Sequence, residues 1–192
     1  MTFQLQSSSG FARCSLTSLV DRDVWISDRD LSCVVVIRAR AGQAGALESR
    51  MRARFAVDLP KGPRCIQSGA LRFAGVGPGE WLAIGEGSRE ELVPSLQLAL
   101  GETAAVIDQS DGWCVLRLGG DGARAALMKL FPVDLHQRAF TQRDFAVTLA
   151  SQIDAMIWRV EDSIDGTPTF DVAVPRSYAG SFWHALSRAI AP

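Results

Sequence analysis

Apolar and polar residues alternate with period two over 113–118. Cys114, Leu116 and Leu118 fall on one face and Trp113, Val115 and Arg117 on the other, the pattern of a strand with a buried face. Gly119, Gly120 and Gly122 break the strand, and Ala123, Leu127, Leu130 and Phe131 then recur along one face of a helix that Pro132 stops. An earlier stretch repeats the phrase. A strand over 33–38 ends in Arg38, Leu47, Met51 and Phe55 stripe a helix over 44–55, and Val57-Asp58-Leu59 echoes Val133-Asp134-Leu135. The pattern therefore predicts two similar halves.

The remaining elements fit this scheme. Residues 1–10 are polar and serine-rich and read as a mobile N-terminal segment, while 11–20 suits either an extended segment or a short helix. Val24-Trp25-Ile26 reads as a short strand and 27–30 as a turn. Pro60, Gly62 and Pro63 enforce an irregular crossing that ends near Ile66. Strands over 70–74 and 80–84 flank the glycine-rich loop 75–79, read as a plain turn because it lacks the Lys-Ser/Thr pair and the following helix of a phosphate loop. Ser88 with Glu91 forms a capping box for a helix bearing Leu92, Leu96 and Leu100. Pro94 requires that this helix kink, or that regular helix begin near Val93. The second half offers a strand over 104–107, a hairpin loop over 109–112, strands over 145–149, 155–160 and 170–174, and a last helix capped by Ser177. The expectation is an α+β fold of two β-β-α-β-β-α halves, residues 11–101 and 102–192, with largely antiparallel sheets, helices on one face and a shared core.

Composition narrows the function. Twenty basic and 21 acidic side chains give a net charge of −1, so no positive field gathers nucleic acid or acidic lipid. Arg50, Arg52 and Arg54 alternate with other residues as on a solvated helix face. No apolar run reaches the ~20 residues of a spanning helix, and the first ten residues lack signal-peptide character. Cys14, Cys33, Cys65 and Cys114 are too widely spaced for a zinc pattern and read as buried thiols in a reducing compartment.

The catalytic inventory is thin. His136 reads as a loop hydrogen-bonding residue and His184 as a helix-surface or interface residue, and Asp108, Asp111 and Asp134 read as turn or cap residues. Neither a nucleophile motif nor a dinucleotide fingerprint occurs. Aromatic residues say more. Tyr178, Phe182, Trp183 and His184 crowd the last helix so closely that one face cannot hide them all, and with Arg176 they have the composition of an interface hot spot. Burial of both rings between the two halves competes with that reading.

Gly77-Pro-Gly-Glu-Trp-Leu82, Asp111-Gly-Trp113 leading to Gly119, Val133-Asp-Leu135, and above all Val174-Pro-Arg-Ser-Tyr-Ala-Gly-Ser-Phe-Trp-His184 together resemble the gamma subunits of heterotetrameric sarcosine oxidases. The resemblance implies a cytoplasmic complex that demethylates sarcosine oxidatively to glycine and passes the one-carbon unit to tetrahydrofolate. FAD, FMN, NAD and zinc would then belong to alpha, beta and delta subunits. This chain would bind none of them, would resemble in fold the folate-binding part of glycine-cleavage aminomethyltransferases, and would pack against the folate-binding region of the large subunit. Isolated, it would expose that surface and self-associate through it. The alternatives are a free-standing folate-binding or aminomethyltransferase-like protein, and the matching subunit of a related N-methyl amino acid dehydrogenase.

Overall fold

Valine, isoleucine and aromatic residues at alternating positions build the strands, and the strands pair in an order that the linear pattern hides. The computed structural model describes residues 9–12, 14, 23–29, 33–86, 88–163 and 166–191. The first half runs β1 (Trp25–Arg29), β2 (Cys33–Ala39), α1 (Ala44–Phe55), β3 (Cys65–Ser68), β4 (Leu71–Gly77), β5 (Glu80–Gly85) and α2 (Arg89–Leu100). The second runs β6 (Ala104–Asp108), β7 (Trp113–Gly119), α3 (Ala123–Met128), β8 (Phe145–Ala150), β9 (Ile153–Arg159), β10 (Thr169–Pro175) and α4 (Ala179–Ile190). Both halves read ββαβββα, one strand more than the expected β-β-α-β-β-α. The addition in the first half is β3, a short strand hidden behind Pro60, Gly62 and Pro63.

One sheet has the order β3-β4-β5-β2-β6 and the other β8-β9-β10-β7-β1, every pairing antiparallel. The two orders are equivalent position by position, except that each half gives its first strand to the other half's sheet. β1 pairs with β7, Trp25 opposite Gly119. β6 pairs with β2, Ala39 opposite Ala104. Two expectations change as a result. Residues 27–29 continue β1 instead of turning, because Ser27 pairs with Arg117 and Arg29 with Val115. Residues 109–112 carry the chain from one sheet to the other and are not a hairpin loop, because β6 and β7 do not pair.

The layers are helices, sheet, sheet, helices. Val35 and Ile37 of β2 and Trp81 and Ala83 of β5 pack under Leu47 and Met51 of α1 and Leu96 and Leu100 of α2. Their neighbours Val34, Val36, Leu82 and Ile84 point the other way and meet Val115, Met156, Trp158 and Ala173 of the second sheet in a common core. The outer face of that sheet, with Leu116, Leu118, Phe170 and Val172, is covered by Ala123 and Leu127 of α3 and Phe182 and Leu186 of α4. At one edge the sheets are stitched together: Arg64 bridges to Asp144, and the Cys65 amide donates to the Arg143 carbonyl at 2.8 Å. The halves thus share a continuous apolar layer. Phe145 stacks on Trp158 within it, ring centroids 5.9 Å apart.

Local details follow from single residues. The Ser88 hydroxyl accepts from the Glu91 amide at 3.3 Å, as a cap should, and α2 runs on through Pro94. Ser177 does not cap α4. A 3-10 turn, Arg176–Tyr178, leads straight into that helix, and at its far end Lys129 Nζ donates to the Ala189 carbonyl at 2.8 Å. In place of a wholly looped 75–79, β4 continues to Gly77 through a register shift, and the turn is Pro78-Gly79, with Gly79 at φ 70°. Gly75 is needed there because a side chain would strike the Gly62 carbonyl. The regular part of α3 stops at Met128, three residues short of Phe131, and Phe131 joins the core from the turn that follows. Most of the 1–10 segment and of 11–20 lies outside the described residues, although Phe11 is fully buried.

All four cysteines are free thiols, with Cys33, Cys65 and Cys114 buried. Burial pushes the Cys114 thiol up to about 12 from 9.0, opposed by Arg176. A thiol with a raised folded pKa stabilises the fold fully below its unfolded pKa and loses that contribution as pH rises toward the folded one. Unfolding free energy should therefore fall between pH 9.0 and about 12, and the slope should be shallower in Cys114→Ala. Denaturant titrations of both proteins across that range measure it; identical slopes would remove Cys114 as the cause.

Candidate partner interface and an arginine cleft

The last block of the chain is held by its own side chains. Cys114 and Trp113 of β7 pair with Val174 and Pro175 of β10, which brings the 3-10 turn Arg176–Tyr178 beside the crossover 109–112. Arg176 Nε donates to the Asp111 carbonyl at 3.0 Å. Arg89, at the start of α2, reaches the same segment, with Nε 2.5 Å from Asp108 and Nη1 2.7 Å from Asp111. Asp108 also accepts from the Ser110 amide and hydroxyl at 3.0 and 2.6 Å. Burial pushes its carboxyl up, but the hydrogen bonds from Ser110 and Arg89 outweigh that and leave it below the usual carboxylate value. The Ser110 hydroxyl in turn accepts from the Val34 amide at 3.0 Å, so the crossover is tied to both sheets.

The five residues singled out from the sequence separate on this scaffold. Phe182 is fully buried in the core under α4 and offers nothing to a partner, a correction that follows from its place on the inner face of the helix. Trp183 packs partly against the same core, and its carbonyl accepts from the Ser187 hydroxyl at 2.8 Å. Arg176 is half-buried and occupied with the crossover. Tyr178, 53% exposed, stands just before α4, and His184 is exposed in its second turn. The aromatic block is therefore divided, with one ring inside, one at the boundary, and a phenol and an imidazole facing out.

His136 and Asp134 serve the backbone, whereas Asp108 and Asp111 hold Arg89. The His136 amide donates to Asp134 at 2.9 Å and its Nδ1 accepts from the Arg138 amide at 3.3 Å. Among the described residues, no three of His, Cys, Asp and Glu are grouped to hold a metal ion, and no helix is long and apolar enough to cross a membrane.

A second feature went unread in the sequence. A cavity of about 190 Å³ opens between the sheets where the β3–β4 turn overhangs the second sheet, lined by Arg29, Arg72, Arg117, Glu86 and Asp171 over the Trp158 ring. Arg117 and Asp171 face each other across paired strands and form a bidentate ion pair at 2.6 and 2.8 Å. Hydrogen bonding to Asp171 raises the Arg117 pKa against its burial. Arg29 pairs with Glu86. Among the described residues, Arg72 donates only to the neutral Gln67 side-chain oxygen, at 3.2 and 3.0 Å. Its Nη1 and the Arg29 Nε are buried and have no hydrogen-bond partner among the described residues. The signal was present in the sequence as charged residues at inward positions of otherwise apolar strands. Strand pairing, which the sequence does not show, is what gathers them.

Comparison with known proteins covers most of the chain. Residues 40–192 match the profile described as the sarcosine oxidase, gamma subunit family. A sarcosine oxidase subunit gamma from Arthrobacter sp is 39% identical over 131 residues, 65% of this chain and 62% of that protein. Another, from Corynebacterium sp. (strain P-1), is 42% identical over 86 residues, 44% of this chain and 41% of that protein. The matched region thus spans about two fifths to three fifths of these relatives. Among solved structures, a chain of the heterotetrameric sarcosine oxidase from Corynebacterium sp. U-96, in complex with pyrrole 2-carboxylate, superposes with a TM-score of 0.79 at 25% identity, covering 96% of this chain and 94% of that one. The glycine cleavage system aminomethyltransferase T from Bartonella henselae shares the fold at TM-score 0.62 and 16% identity, over 85% of this chain and 45% of that one.

Proposed function

This chain belongs to the sarcosine oxidase gamma subunit family, and from that premise we propose that it is the assembly subunit of a heterotetrameric sarcosine oxidase. In this reading the complex demethylates sarcosine oxidatively to glycine in the cytoplasm and passes the one-carbon unit to tetrahydrofolate. The flavins, NAD and zinc sit in its alpha, beta and delta subunits, and this chain contributes surface and no reacting group. The observation that carries it is the superposition of nearly the whole chain on one chain of a heterotetramer. The fold shared with an aminomethyltransferase supports packing of like against like, this chain against a folate-binding region of a larger subunit.

The exposed Tyr178, just before α4, and His184, in its second turn, are the contacts assigned to a partner, with Trp183 beside His184. Arg176 acts through the crossover that it holds. The affinity tag is placed at Met1, in the half of the chain that does not carry α4. Affinity purification from the native cell should then bring down a large flavoprotein and smaller chains with flavin absorbance, whereas a colourless solitary protein would sink the reading and make tetrahydrofolate titration the next step. The double variant Tyr178→Ala/His184→Ala should weaken assembly about tenfold or more at an unchanged melting temperature. Undiminished co-purification of that variant would move the interface elsewhere.

A further inference from the structure

The cleft between the sheets holds three guanidiniums and two carboxylates, and its pairings leave one charge over. Arg117 is closed onto Asp171 and Arg29 onto Glu86, while among the described residues Arg72 has only the neutral Gln67 side chain and a buried Nη1 without a partner. The Arg29 Nε is a second buried donor without a partner among the residues lining the same space. Water would satisfy those N–H groups but would leave the charge uncompensated. A carboxylate satisfies both, since its two oxygens match the fork of a guanidinium and its single negative charge equals the excess. A doubly charged anion would instead face Glu86 and Asp171 with charge to spare. We infer that this cleft is a binding site for one small, singly charged carboxylic acid, held by Arg72 with help from Arg29. The volume of about 190 Å³, against roughly 30 Å³ for a water, admits an acid of two or three carbons lying over Trp158.

The test uses the full chain and acetate as probe. Melting temperature is followed as sodium acetate replaces sodium chloride at constant ionic strength. Wild type should rise along a saturable curve, by about 3–6 °C when acetate is near ten times its Kd. The rise should vanish in Arg72→Gln and persist in Arg138→Gln, a change on the exposed surface. No rise in wild type, or an equal rise in Arg72→Gln, which would mark a bulk salt effect, overturns the site. If Arg72→Gln does not fold, Arg72→Lys decides. It keeps the charge and loses the fork, so its response should be half that of wild type or less, and a full response counts against the inference.

Discussion

Asp171→Ala is expected to lower the unfolding free energy by about 2–3 kcal/mol, or roughly 5–10 °C in melting temperature for a chain of this size. Asp171 is 4% exposed and sits in the middle of β10, opposite Arg117 of β7, with both carboxylate oxygens engaged. Removing it leaves a guanidinium in the inter-sheet layer, a change that costs about 3–5 kcal/mol when the remaining charge is fully buried. The Arg117 side chain keeps 27% of its exposure, so water in the adjoining cavity offsets part of that cost and the lower figure applies. The loss should appear as a lower urea midpoint at unchanged slope. The pair itself is not expected to stabilise the fold much beyond an apolar pair of the same shape. The double variant Arg117→Leu/Asp171→Leu should therefore fall within about 1 kcal/mol of wild type. A single variant as stable as wild type would show that Arg117 swings out to solvent at no cost, and the description of the cleft as a fixed arrangement would have to go.

What the sequence displays and what it hides follow from the range of the interactions involved. Local pattern is visible. The alternation of β7, the stripes of α1 and α2, the Ser88 cap and the backbone roles of His136 and Asp134 all depend on residues a few positions apart, and the structure has them where the pattern puts them. Cross-half pairing is invisible. Ser27, Asp28 and Arg29 look like a polar turn because an edge strand with two charged residues carries no apolar run, yet their backbone groups complete a ladder with β7. The same blindness applies to the cleft, since Arg72 and Arg117 become neighbours only when two sheets stack. Phe182 fails for a different reason. Composition placed it in a surface block, whereas the angle between successive helix residues separates it from His184 and turns it inward. The family resemblance was legible in the Val174–His184 block because there a strand end, a turn and a helix start are all written out consecutively.

The exchange of first strands makes a sharper statement about the two halves than their similarity does. Residues 102–192 lack β1, and residues 1–101 lack β6, so each fragment alone has a four-stranded sheet with one pairing edge left open. Each also exposes one wall of the common core, Val34, Val36 and Ile84 on one side and Met156, Trp158 and Ala173 on the other. Outward-facing helices do not compensate, because they cover the opposite faces. Produced separately, neither fragment is expected to show a cooperative unfolding transition, a loss of the whole ~5–15 kcal/mol typical of a folded domain. Mixed in equal amounts, the two should combine one to one and recover the far-ultraviolet circular dichroism and the buried-tryptophan fluorescence of the intact chain, because β1 and β6 carry the pairing information for both partners. A variant of the second fragment on which β1 cannot dock tests the same point from the other side. Trp25 lies across Gly119, where any side chain would fall inside the indole ring, so Gly119→Val in the second fragment should block recombination while leaving β6 free to pair. Cooperative folding of either fragment by itself would mean that the halves are independent domains and that the exchanged strands are an embellishment on two complete cores.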